Sequence, residues 1–123
     1  MNWSVRFHDD FEVEFEVLSE DVQDALLESA KAVRLAGPKA GRPHVDTLTG
    51  SKHTNMKELR FTAHDGSEVW RAAFAFDPER AAILLAAADK QGQNETLFYR
   101  RLLKIADKRF DSHLRQVKAA SKK

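Results

Sequence analysis

The chain has no cysteine among its 123 residues. That removes disulfides, thiolate zinc sites and cysteine nucleophiles, and it fits a reducing compartment. No apolar run is long enough to span a bilayer, and the N-terminal MNWSVRFHDDFEVEFEV has no basic head followed by an apolar stretch. A cytoplasmic protein with no membrane partner is therefore expected. Also missing are histidines paired at helical spacing, a Walker or Rossmann glycine loop and a Gly-x-Ser-x-Gly elbow. Metal-dependent and nucleotide-dependent enzymes lose their usual signatures, and no cofactor is expected. His8, His44, His53, His64 and His113 are scattered, which suits surface or structural roles.

What is present reads as one globular domain over residues 1–123. Hydrophobic residues make up 42% and charged residues 32%, enough for one core and without the charge excess of disorder. The net charge of +1 hides a polarity. Residues 1–36 hold three Lys or Arg against nine Asp or Glu, whereas residues 37–123 hold seventeen against ten. The basic part favours an anionic partner, with nucleic acid ahead of membrane because no basic amphipathic anchor is present.

Periodicity orders the chain. NWSVRFH alternates Trp3, Val5 and Phe7 with polar residues, as a half-buried strand does. DDFEVEFEVL fits either period, and the spacing of Phe11, Phe15 and Leu18 favours a helix. From Ser19, an N-cap residue followed by Glu20 and Asp21, the recurrence of Val22, Leu26, Ala30 and Val33 predicts a helix that Gly37 and Pro38 stop. Residues 37–55 read as a loop. MKELRFTA and EVWRAAFAF flank HDGS, whose Asp-Gly predicts a hairpin, and DPER turns the chain into AAILLAAADK, a central strand. After QGQN, the spacing of Phe98, Leu102, Ile105 and Leu114 predicts a long helix that frays into a basic tail over about 117–123. The fold class is α+β, with helices packed on a small, mostly antiparallel sheet.

Two features bear on chemistry. GRPHVDTLTGSKHTNMKELR gathers Arg42, Lys52, His53, Lys57 and Arg60 in a glycine-punctuated run that leads into a strand. Arg71 is a lone charge in the apolar strand EVWRAAF, so it needs a partner. It either pairs across the sheet with Glu58 or Asp89, or it lines a concave surface where Ala73 and Ala75 leave room for a ligand. The alanines favour the second reading.

GRPHVDTLTGSKHTNMKELR, WRAAFAFDPERAAILLAAADKQG and FYRRLLKIADKRFDSHL, in that order, resemble the HigB-type, phage-derived branch of the RelE/ParE toxin superfamily. The resemblance implies a RelE-like fold, a sheet with helices on one side, in the toxin of a type II toxin–antitoxin system. It implies a metal-independent endoribonuclease that cuts mRNA on the ribosome and so inhibits translation. A cognate antitoxin, with a helix-turn-helix DNA-binding domain, would silence it. By position, the resemblance casts Arg71 as the phosphate-binding arginine, Lys90 as a basic residue at the sheet's edge, and Tyr99 as a catalytic or base-stacking tyrosine. Lys57 would join them in catalysis, with Arg60, Lys52, His53 and Arg42 on the RNA. The sequence departs from the pattern in Ala87 and Ala88, where relatives carry glycines, and in Glu58, where some RelE nucleases carry a lysine. Two alternatives remain open: a ParE-like inhibitor that docks on DNA gyrase, and a non-toxic remnant that binds RNA without cutting it.

Overall fold

A computed structural model describes residues 2–121 of the chain. Strand β1 (Ser4–Phe7) leads into helices α1 (Asp9–Glu16) and α2 (Glu20–Ala36) and a 3-10 turn at Gly37–Lys39. Then come β2 (Val45–Thr47), β3 (Met56–Ala63), β4 (Glu68–Phe76), β5 (Ala81–Asp89) and helix α3 (Glu95–Ser121). The five strands form one sheet in the order β1-β5-β4-β3-β2. Only β1 is parallel to its neighbour, β5, because α1 and α2 carry the chain over one face and away to the far edge before it re-enters as β2.

Local signals decide the helix ends. The Ser19 hydroxyl accepts from the Val22 amide at 3.3 Å, and α2 closes at Gly37, whose φ of 57° lies in the region that favours glycine. In α1 the helical spacing prevails over the alternating one. Burial explains why: Phe11 is fully enclosed and, with Phe15, packs on Phe7 of β1 with ring centroids 5.6 and 4.7 Å from it. The ring of His8 caps this helix by accepting from the Asp10 amide.

The helices cover both faces of the sheet, where a single covered face was expected. On one face Leu59, Phe61, Phe74 and Leu84 meet Phe11, Val22, Leu26 and Val33 of α1 and α2. On the other, Met56, Ile83 and Leu85 meet Phe98, Leu102 and Phe110 of α3. β4 imposes this arrangement, since residues 71–76 are buried without a break, and a strand apolar on both sides must be covered on both. A register shift opposite Ala73 and Phe74 puts both Leu85 and Ala86 of β5 into the α3-side core.

The alanines have a different use from the one their size suggested. Ala73, Ala75, Ala81 and Ala106 are completely buried between the sheet and α3, so they admit the helix and not a ligand. Two further expectations change. The loop of residues 37–55 contains β2, which pairs Val45–Thr47 with Leu59–Lys57. α3 also continues to Ser121 through the stretch read as a frayed tail, with residues 118–121 exposed, while 122 and 123 lie outside the described residues.

Candidate active site

Strand alternation sends Met56, Glu58 and Arg60 of β3 to the α3 side, and Leu59 and Phe61 to the other. In the β3–β4 register Arg60 stands opposite Arg71, and Glu58 opposite Ala73. Two like charges directly across a strand pair repel, and Arg71 in particular has little water to turn to. The Arg71 side chain is 7% exposed and that of Arg60 21%.

Glu58 resolves the conflict. Its Oε2 accepts from Arg60 Nη1 at 2.9 Å, while Oε1 accepts from the Tyr99 hydroxyl at 2.7 Å and lies 3.5 Å from Arg71 Nε. Arg71 Nε also donates to the Tyr99 oxygen at 3.3 Å, and its Nη1 donates to the Trp70 carbonyl at 2.9 Å. Tyr99 reaches the cluster from the start of α3, because Phe98 and Leu102 bury the helix against the sheet and turn the neighbouring residue toward β3. The Tyr99 hydroxyl is pushed above its ordinary pKa, first by burial and then by its bond to Glu58, with Arg71 opposing. At neutral pH it is a proton donor.

Lys90 follows β5 at the rim. Its Nζ lies 5.9 Å from the Tyr99 ring centroid and 3.1 Å from Glu95 Oε1. Arg42 comes near by a different route. It holds Asp46 at 2.8 Å, and Asp46 stands opposite Glu58 in the β2–β3 register. The Arg42 bond is the main cause that keeps the Asp46 carboxyl below the usual carboxylate range, helped by the Thr47 amide. Beyond the short β2, a groove of about 480 Å³ lies between α2 and the open end of β3, and Arg60, Arg71, Val69 and His44 help line it.

Arg71, Tyr99 and Arg60 therefore meet, with Lys90 and Arg42 around them. Three expected residues do not. Lys57 alternates to the opposite face of β3 and donates to Thr47 Oγ1 at 3.3 Å. Lys52 and His53 both pair with Asp111, and Ser51 bonds to Asp107, so this loop is strapped to the distal half of α3. Twelve residues of helix separate Asp111 from Tyr99, roughly 18 Å along the axis. Glu58, weighed only as a partner for Arg71 across the sheet and set aside for a concave ligand surface, is the residue the site set lacked, and its pairing with Arg71 is the one found. Its signal was the alternation itself, which puts position 58 on the face of Arg60 and, through the hairpin, of Arg71. Among the described residues no group of three His, Asp or Glu side chains is placed to hold a metal ion.

Comparison with known proteins bears on the family and the fold. The family described as phage-derived protein Gp49-like matches residues 13–111. The chain is 43% identical over 99 residues to a candidate toxin of Mycobacterium tuberculosis, HigB2, a match that covers 80% of this chain and 48% of that protein. It is 39% identical over 100 residues to a second candidate toxin of that organism, HigB3, covering 81% and 83%. The chain thus spans about half the length of the first relative and most of the second. Among solved structures, a double arginine-to-alanine variant of E. coli toxin RelE in the free state superposes with a TM-score of 0.61 at 14% identity, covering 89% of this chain and 98% of that one. The archaeal RelE–RelB complex of Pyrococcus horikoshii gives 0.52 at 13% identity, covering 76% and 100%. At such identities the likeness establishes a RelE-like fold.

Proposed function

The chain belongs to the phage-derived Gp49-like family of HigB-type RelE proteins, and on that footing we propose that it is the toxin of a type II toxin–antitoxin pair that cleaves mRNA on the ribosome. One observation carries the chemistry: a protonated tyrosine hydroxyl and two guanidinium groups converge on the oxygens of a single buried carboxylate.

RNA can be cut by its own 2′-hydroxyl. The 2′-oxygen bonds to phosphorus as the bond from phosphorus to the 5′-oxygen breaks, leaving a cyclic phosphate and a free 5′-hydroxyl. The step needs an acceptor for the 2′ proton, positive charge at the phosphorane and a donor for the departing oxygen. In this reading solvent takes the 2′ proton, Arg71 and Arg60 stabilise the phosphorane, Tyr99 protonates the leaving oxygen and is reprotonated from solvent, and Lys90 at the rim assists the phosphate. A positioned acid contributes about 10²–10⁴-fold, and losing one oxyanion donor costs about 10²–10³-fold. Lys57 and His53 face elsewhere and take no direct part. Arg42 and Lys52 contact the RNA at most from the margins.

The toxin reading brings a partner and a place. One structural neighbour was solved as a RelE–RelB complex, which supports an antitoxin for this chain, with a helix-turn-helix DNA-binding domain as the family resemblance implies. A ribosomal substrate puts the protein in the cytoplasm, and among the described residues no helix is long and apolar enough to cross a membrane.

The test adds purified protein to a translating extract and maps mRNA ends, with naked RNA and Arg71→Ala in parallel. Cuts within the reading frame that require ribosomes and Arg71 support the proposal. Absence of cuts, accompanied by inhibition of DNA supercoiling, would replace it with the gyrase reading. Binding of RNA without cuts would leave the remnant.

A further inference from the structure

The donors around Glu58 form an anion seat that is already filled. Two guanidinium groups and a hydroxyl aimed at two oxygens of one group match the non-bridging oxygens of a phosphodiester as well as they match a carboxylate. We propose that Glu58 is an internal stand-in for the RNA phosphate, and that the phosphodiester binds by displacing its carboxylate from Arg71, Arg60 and Tyr99. The identity of the ligand rests on the nuclease reading; the existence of the seat does not.

Three observations support displacement over a permanent ion pair. The first is position: α3 fills the space over Ala73, the residue opposite Glu58 on β4, whereas on its other side stands only the three-residue edge strand β2, so the carboxylate arm can turn toward the sheet edge. The second is the other neighbour, Asp46 on β2, a second carboxylate whose own cation is Arg42. Repulsion between the acids favours movement of Glu58 once a phosphate neutralises its arginines. The third is access: the groove beside β3 reaches Arg60 and Arg71, so an anion entering it approaches the seat past the partly exposed Arg60.

The closed state has a consequence. With Arg71 and Glu58 almost wholly buried, the free protein shows little more than the edge of Arg60 to solvent, and its affinity for isolated RNA is held down by the carboxylate that must leave.

The experiment uses the full chain and a short single-stranded RNA with 2′-O-methyl groups, which binds but cannot be cut. Glu58→Gln keeps the shape and an acceptor for Tyr99 but removes the competing charge. It should bind the probe at least about tenfold more tightly than the parent, and adding Arg71→Ala should abolish the gain. Equal or weaker binding by a folded Glu58→Gln overturns the proposal. A second readout needs no variant. Tyr99 is the only tyrosine in the chain, so a ring-carbon label on tyrosine gives one NMR resonance. Saturating probe should move it as the hydroxyl exchanges carboxylate for phosphate, and an unmoved resonance at saturation overturns the proposal. The extract assay separates the two readings. Cleavage there without tighter binding by Glu58→Gln refutes the stand-in alone, whereas tighter binding without any cleavage refutes the nuclease and leaves the seat.

Discussion

Replacing Glu58 with alanine should damage the fold more than replacing its partner. The substitution leaves Arg60 and Arg71 facing each other across β3 and β4 with no carboxylate between them. Arg60, 21% exposed, can turn toward water; Arg71, at 7%, has only Tyr99 and the Trp70 carbonyl. Stranding one charge of a buried pair costs about 3–5 kcal/mol. For a domain of this size that lowers Tm by roughly 12–20 °C, taking roughly 4 °C per kcal/mol. Arg71→Ala is milder, about 1.5–3 kcal/mol, because Glu58 keeps Arg60 and the Tyr99 hydroxyl. The double variant removes both stranded charges and should recover on the order of 2 kcal/mol relative to the sum of the singles. Urea unfolding of the parent, both singles and the double measures the cycle at one temperature and salt concentration. A cost for Glu58→Ala under about 1 kcal/mol, or strict additivity in the double, would refute the account of these groups as one coupled unit.

Other consequences can be checked separately. Tyr99 ionises above its ordinary pKa in the folded state, so the stability it contributes is complete below pH 10 and lost as pH rises through the folded value; absorbance at 295 nm follows this one tyrosine, and an equal titration midpoint with and without urea would contradict it. Glu14 behaves in the opposite sense. Its carboxyl is held low chiefly by the bond to Arg109, so its contribution is present above the unfolded pKa and lost as pH falls through the folded one, and Glu14→Gln should flatten the acid limb of a stability profile. Gly37→Ala should cost about 1–3 kcal/mol for the left-handed backbone alone, and more because the new methyl falls inside the Trp3 indole; a thermal melt unchanged from the parent would count against that contact. Asp111→Ala should raise amide exchange in residues 51–53 and leave the proposed mRNA cleavage at the parental level, since Lys52 and His53 serve the loop; loss of the parent's cleavage would return them to the site.

The period-two and period-3.6 patterns by themselves determined the elements: the capped helix from Ser19 to Gly37, the Asp-Gly hairpin, the apolar strand from Ala81 and the long last helix. The ordered motifs also determined the family. These signals are local, carried by residues within a few positions of each other, and packing here agrees with them. The convergence of charges was not local. MKELR contains both Lys57 and Glu58, and their opposite directions are a matter of alternation, but that Glu58 would receive Arg71 and Tyr99 depended on the β3–β4 register and on where α3 lies across it. Lys52 and His53 looked like part of the same basic wall. The stripe of Tyr99, Leu103, Asp107 and Asp111 along α3 drew them to its far end, because each acid there offers a partner the loop can reach. The alanines of β4 and β5 carried the same ambiguity, since space in a strand is open to a ligand or to a helix. Tertiary structure decided for the helix, because burying α3 removes far more apolar surface from water than a polar ligand would.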